Sequence, residues 1–219
     1  MGKYNDHSRL EGKHAYLGCS QSNWENRDDE QLIAAYYSKF AAELGTALHS
    51  FAQDCINRKM KLRKTDDHMI DYYIQVVWPL KGGSFIPKGA YDSKSLIETV
   101  SLFVNEAIGY RMDSEVILAY DETYSFGTSD AFMCDDKNKI IRVHDLKTGS
   151  HPVKMEQLLL YAAQFCLEYN KNPKVYSFEL RVYQLGQIIE YFPVPAEIEE
   201  HMKHVVRATK ILRNNIERY

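Results

Sequence analysis

No stretch of the chain strings together the ~18 consecutive apolar residues that a membrane span requires, so a membrane is not expected among its partners. No basic-then-apolar leader opens it either. MGKYNDHSRLEGKH is polar throughout, and the chain is read as cytoplasmic. Cysteine is sparse: Cys19, Cys55, Cys134 and Cys166 stand far apart with no CxxC pair, which argues against a structural zinc site. Reduced, mostly buried thiols are the expectation. The GxSxG elbow of serine hydrolases is missing, and so is the phosphate-cradling GxxxxGK, which excludes a P-loop motor. Repeats and low-complexity segments are absent. A dominant charge is lacking as well: 27 basic residues face 30 acidic ones, for a net charge of −3. That balance speaks against a sequence-blind coat on nucleic acid, and leaves room for a local basic patch.

What is present is 219 residues with 45% hydrophobic content, enough for one sizeable core and a single domain over 1–219. Residues 1–40 read as an N-terminal helical extension. Within it lie a loose arm over 1–13, a short helix inside His14–Trp24 capped by Ser20 or Ser22, and a helix from Asp28. Ala41–Asn57 follows as a helix with the stripe Leu44, Leu48, Phe51, Ala52, Cys55, Ile56. Arg58, Lys59, Lys61, Arg63 and Lys64 then place five positive charges in seven residues, either a solvated helix end or a phosphate contact. Residues 65–92, rich in aromatics and broken by Gly and Pro, suggest an insert or hairpin. Ser93 or Ser95 caps a helix to about Tyr110. Strands are expected over Glu115–Tyr120, Tyr124–Cys134 and Ile140–Lys147, the last two joined by the polar loop Asp135–Lys139. Pro152 opens a helix to about Tyr169. Two further strands, Val175–Gln184 and Gln187–Pro193, precede a final helix from Pro195. The order implies an α/β fold with a central mixed sheet flanked by helices.

The chemistry concentrates between Gly127 and Tyr161. Side chains alternate along a strand, so Ile141, Val143, Asp145 and Lys147 share a face that runs from apolar to charged. His144 points the other way. On the preceding strand Asp130 shares the face of Phe126, Thr128 and Phe132. If the two strands pair across the Asp135–Lys139 loop, Asp130 and Asp145 approach each other. Two carboxylates that close need a cation between them, or one stays protonated. Hard oxygen donors suit Mg²⁺ or Mn²⁺. One turn apart on the next helix, Gln157 and Tyr161 form a polar stripe. Taken singly, each of these residues has an ordinary reading: a core histidine, a turn aspartate, a strand-end ion pair. Together they are a constellation.

Gly127-x-x-Asp130, Asp145-Leu146-Lys147-Thr148-Gly149 and Gln157-x-x-x-Tyr161 resemble the PD-(D/E)XK nuclease superfamily. The Gln-x-x-x-Tyr tail, with Gly45-Thr46-Ala47-Leu48-His49 upstream, is similar to its RecB-like exonuclease branch and to phage-type nucleases within it. The resemblance covers about residues 41–170. It implies a restriction-endonuclease-like core and a metal-dependent DNA exonuclease of phage or bacterial recombination, replication or repair. The host cytoplasm would be its location if the gene is phage-borne. A structure-selective endonuclease on the same fold, or a non-catalytic DNA-binding or assembly module, is the alternative. The resemblance further implies that His49, Asp130, Asp145 and the backbone carbonyl of Leu146 hold Mg²⁺ or Mn²⁺, with Glu115 as an additional acid. Lys147 would orient the attacking water, and Gln157 and Tyr161 would position DNA. Thr148 and the Arg58–Lys64 cluster would contact nucleic acid. DNA is the implied substrate, a second copy or a recombination protein the implied partner. The cysteines do not match the iron–sulfur relatives, so no such cluster is expected. An acid one turn beyond the histidine, frequent in this branch, is replaced by Gln53.

Overall fold

The computed structural model describes residues 8–10, 15–17, 19 and 22–216. Apart from a 3₁₀ turn at Ser8–Leu10, the arm expected over 1–13 lies outside the described residues, as does Ser20. The short helix expected inside His14–Trp24 is found later, as a 3₁₀ segment at Ser22–Asn26. Helix α1 (Asp29–Ser38) begins one residue after Asp28, which is its cap. The Asp28 carboxylate accepts from the Gln31 N–H at 2.8 Å while the Gln31 side chain accepts from the Asp28 N–H. Helix α2 (Ala41–Asn57) has the predicted bounds and buries the predicted stripe, with Ala47 in addition.

Residues 65–92 are not a hairpin. Helix α3 (Asp67–Tyr72) continues through a π-helical turn (Tyr73–Val77) into the short helix α4 (Trp78–Leu80). The wider turn brings Tyr73 and Ile74 into the core beside α2. The segment is tied down by polar contacts: Trp78 Nε1 and the Ser84 N–H both donate to Glu43 Oε1, at 2.8 and 2.6 Å. The aromatics thus divide. Tyr73 is packed, whereas Tyr72 and Phe85 face solvent.

Helix α5 (Ser93–Gly109) is capped by Asp92 rather than by Ser93 or Ser95. Strands β1 (Asp113–Asp121), β2 (Ser125–Asp135) and β3 (Ile140–Lys147) form an antiparallel meander. Helix α6 (Glu156–Glu168) crosses to β4 (Ser177–Gln184), which pairs parallel to β3, and β5 (Gln187–Tyr191) returns antiparallel. The sheet order is β1-β2-β3-β4-β5, and α7 (Pro195–Ile216) closes the fold against α6. The protein is therefore α/β, with a five-stranded mixed sheet flanked by helices, as the element order implied.

Two apolar cores lie against this sheet. One joins α2, α3 and α5 to Ala131, Leu146 and Tyr183; the other joins α6 to Phe132, Ile141, Val143, Leu180 and Val182. Along β3 the alternation sends Ile141 and Val143 towards α6, and His144 and Leu146 towards α2 and α5. Among the described residues no helix is long and apolar enough to cross a membrane.

Candidate active site

Helix α2 brings His49 over the end of the β1–β2–β3 meander. His49 Nδ1 lies 3.2 Å from Asp130 Oδ1. The other carboxylate oxygen of Asp130 accepts the Leu146 N–H at 2.7 Å. The β2–β3 ladder ends at Ala131 opposite His144, so Asp130 is the next residue past its last pair. A continued ladder would set Leu146 opposite Ser129; here its N–H is taken by the Asp130 side chain. One carboxylate thus bridges helix and strand.

Glu115 completes the cluster by an unusual route. It sits in β1 with φ = 53°, a left-handed conformation that costs a non-glycine residue on the order of 1–2 kcal/mol. Its neighbours Ser114 and Val116 pair with Ala131 and Ser129, so the ladder skips Glu115 and Asp130 together. The strand alternation breaks on β2 as well. A Cβ on Gly127 would meet the Tyr161 ring of α6 at 2.9 Å, yet Ala131, four residues on, packs into the α2–α5 core. The expected common face of Phe126, Thr128, Asp130 and Phe132 is correspondingly not continuous: Phe126 is 58% exposed while Phe132 is buried. Strain concentrated where acids converge is a mark of functional sites. One ligand atom from each of His49, Glu115 and Asp130 falls within 4.8 Å of the others.

Asp145 stands beside this triad rather than in it. It is buried at 2% exposure, and Lys147 Nζ lies 3.2 Å from Oδ1 and 2.9 Å from Oδ2. Only the first contact has hydrogen-bond geometry, which leaves Oδ2 without a hydrogen bond. The same ammonium donates to Gln157 Oε1 at 3.0 Å, and Gln157 Nε2 donates to the Tyr161 hydroxyl at 3.0 Å. The predicted residues from β3 and α6 therefore form one chain, Asp145–Lys147–Gln157–Tyr161. Gly127 is what lets α6 come so close. Gly45 plays a similar part on α2, where a Cβ would meet Thr148 Oγ1 at 3.3 Å.

The electrostatics follow from this crowding. Burial pulls the His49 imidazole down, but the hydrogen bond to Asp130 and the fields of Asp130, Asp145 and Glu115 outweigh it and leave its pKa raised. Burial and the neighbouring Asp130 push Asp145 up, against the opposing pull of Lys147. Glu115 is raised for the same two reasons, burial first and Asp130 second. Two carboxylates and an imidazole held this close, with a third acid beside them, fit a divalent cation chemically. A mixed set of carboxylate oxygens and one imidazole suits Mg²⁺ or Mn²⁺.

The remaining expectations separate. The Leu146 main chain is at the site, engaged with Asp130 through its N–H. Thr148 borders a cavity of about 570 Å³ that opens beside His49, Lys147 and Gln157. Arg58, Lys59, Lys61, Arg63 and Lys64 are exposed, and no ion pair joins them to an acid among the described residues. They do not extend α2. Lys59 adopts φ = 54°, and the segment is held by Asn105, which exchanges hydrogen bonds with both the N–H and the carbonyl of Leu62. At about 1.5 Å rise per helical residue, the cluster starts about 13 Å along α2 from His49. His144 is buried on the far face, 3.0 Å from the Tyr183 hydroxyl, and burial with Arg181 and Arg142 pushes its pKa down to about 3. Cys55 and Cys166 are buried thiols pushed up to about 12, whereas Cys19 is exposed.

The chain matches no family model, no curated protein and no solved structure.

The closest of these contacts gives a direct check. Gly127→Val is expected to cost about 1–3 kcal/mol, because the added side chain must displace the Tyr161 ring. Urea unfolding measures it, and a cost below about 0.5 kcal/mol contradicts the tight Gly127–Tyr161 fit.

Proposed function

We infer that the protein is a metal-dependent deoxyribonuclease of the PD-(D/E)XK kind, acting as an exonuclease on phosphodiester bonds. The observation that carries this reading is the convergence of His49, Glu115 and Asp130, beside a buried Asp145 paired with the partly exposed Lys147. Burying an aspartate against a partly exposed lysine at a strand end contributes little to stability. Chemistry on a phosphate accounts for the pair better.

The residues that would hold the cation are His49, Glu115 and Asp130, with Asp145 the adjacent acid, ion-paired to Lys147. When bound, the ion supplies Lewis-acid polarisation of the scissile phosphate and a lowered pKa for water. Lys147 places a positive charge where negative charge develops on the phosphate, and Asp145 and Gln157 fix its direction. Tyr161 holds Gln157 in turn. Asp130, anchored by Leu146, keeps β2, β3 and α2 in one geometry, so little reorganisation is needed at the moment of reaction. The exposed cluster from Arg58 to Lys64 supplies phosphate contacts for a longer tract. Recombination, replication or repair in a phage or its bacterial host is the setting that suits such an enzyme.

The test is a time course on end-labelled linear DNA, duplex and single-stranded, against covalently closed circles. With Mg²⁺ or Mn²⁺ the parent chain should shorten linear DNA and spare circles, and EDTA should stop it. Lys147→Ala should be slower by at least about 10²–10³-fold, the usual cost of one lost electrostatic group. Nicking of closed circles would favour the endonuclease. Parent and variant that are equally inert would favour a binding or assembly module.

A further inference from the structure

The cavity beside the candidate site owes its shape to a residue outside every motif named so far. Gln184 is the last residue of β4 and pairs in the ladder with Lys147. It is 9% exposed, and its single side-chain nitrogen donates to two carbonyls, Gly149 O at 2.6 Å and His151 O at 2.8 Å. Both carbonyls belong to the connection that carries the chain from Lys147 to α6. That connection forms a wall of the 570 Å³ cavity. Gln184 is itself held firmly. The following turn, with Leu185 at φ = 50° and Gly186 at φ = 70°, is fastened to α5 by the Gly186 N–H, which donates to the buried Thr99 Oγ1 at 2.7 Å.

The lining of the cavity has two characters. Lys147, His151 and Lys154 offer donors, while Pro152, Val153 and Leu160 offer an apolar surface. Its volume lies within the roughly 300–1,000 Å³ usual for small-ligand sites. A nucleotide, with a phosphate at one end and a flat, largely apolar base at the other, matches that division. The cavity adjoins His49 and Gln157, so a nucleotide seated there has its phosphate next to the acidic cluster.

We propose that Gln184 is a positioning residue: it pins the connection between β3 and α6 as the wall of a subsite for the nucleotide flanking the scissile phosphate. This rests on the nuclease reading. Gln184 borders the cavity itself, and its amide is spent on the wall rather than on an acid. It acts through the Gly149 and His151 carbonyls.

The experiment compares parent, Gln184→Met and Gln184→Glu on two substrates with Mn²⁺. One is an end-labelled oligonucleotide; the other is bis(p-nitrophenyl) phosphate, which has no nucleoside to fill the cavity. Methionine keeps the length and removes the donor, and glutamate turns acceptors towards two carbonyls. A misplaced wall should lower kcat/KM on the oligonucleotide by about 10–100-fold, chiefly through KM, with a far smaller change on the aryl diester. Mn²⁺ binding, followed by calorimetry, should stay at the parent value in any variant that folds. Equal losses on both substrates, or no loss on either, overturn the assignment to Gln184. A parent chain inert towards both substrates overturns instead the nuclease reading on which it rests.

Discussion

Asp130→Asn is expected to abolish metal binding and to slow DNA cleavage by at least about 10²–10³-fold, without unfolding the protein. The reason lies in its two contacts. An amide oxygen still accepts the Leu146 N–H, so the anchor between β2 and β3 survives. The charge shared with His49 and Glu115 does not. Removing that charge also relieves repulsion among Asp130, Asp145 and Glu115, which raises the pKa of the latter two. In EDTA the variant should melt close to the parent temperature, because the relieved repulsion is offset by the lost His49–Asp130 pair. With Mn²⁺ added, the parent should gain stability, by about 2.7 kcal/mol when the ion is at a hundred times its dissociation constant, and the variant should gain none. Thermal melts with and without Mn²⁺ measure both halves. A variant that keeps the Mn²⁺ shift would remove Asp130 from the site.

Glu106→Ala is expected to cost about 3 kcal/mol of stability, a fall of about 6–12 °C in Tm for a chain of this size. Glu106 on α5 receives Arg181 Nη1 at 2.6 Å and the Tyr183 hydroxyl at 2.5 Å. Tyr183 reaches on to His144, and Arg181 also meets Tyr110 and, at 2.8 Å, Glu190. These groups join α5 to β3 and β4 on the side of the sheet away from α6. Without the carboxylate, Arg181 keeps Glu190 as its one acid among the described residues, and the Tyr183 hydroxyl loses an acceptor. The half-exposed Glu190 holds the expected cost at the lower end of the range for a broken buried pair. Glu106→Gln, which retains an acceptor, should cost less. Urea unfolding decides it: a cost below about 1 kcal/mol for the alanine variant would mean that apolar packing alone fastens α5 to the sheet.

Much of this was legible in the residues. Helix α2 could be bounded because its apolar positions recur without interruption, and β3 because its apolar face ends in Asp145 and Lys147. The polar Asp135–Lys139 loop gave the β2–β3 pairing, whose ladder stops one residue short of Asp130 and Asp145. Contacts distant in sequence were not legible. Gln184 lies 33 residues beyond His151, and nothing in its own strand shows that its amide holds that carbonyl. The same contact explains why α6 starts at Glu156 and not at Pro152. Gln184 takes the carbonyl of His151, which would accept the first backbone bond of a helix begun at Pro152. Proline's preference for a first turn is too weak to compete. Glu115 was seen as an acid near the site, yet its left-handed backbone follows from the paired kink of β1 and β2, which periodicity alone cannot reveal. The helical path of Asp67–Leu80 was hidden by the breakers: Pro79 sits in the first turn of α4, and Gly82 and Gly83 follow its end instead of bending a hairpin.

The claim beneath all of this is that His49, Glu115 and Asp130 share a divalent cation. The most direct measurement is anomalous diffraction from crystals soaked in Mn²⁺. The account predicts one strong peak within about 2.0–2.3 Å of an Asp130 carboxylate oxygen, with His49 or Glu115 as a further ligand. A structure at millimolar Mn²⁺ with no peak among these three residues, or with the ion bound elsewhere, would contradict it.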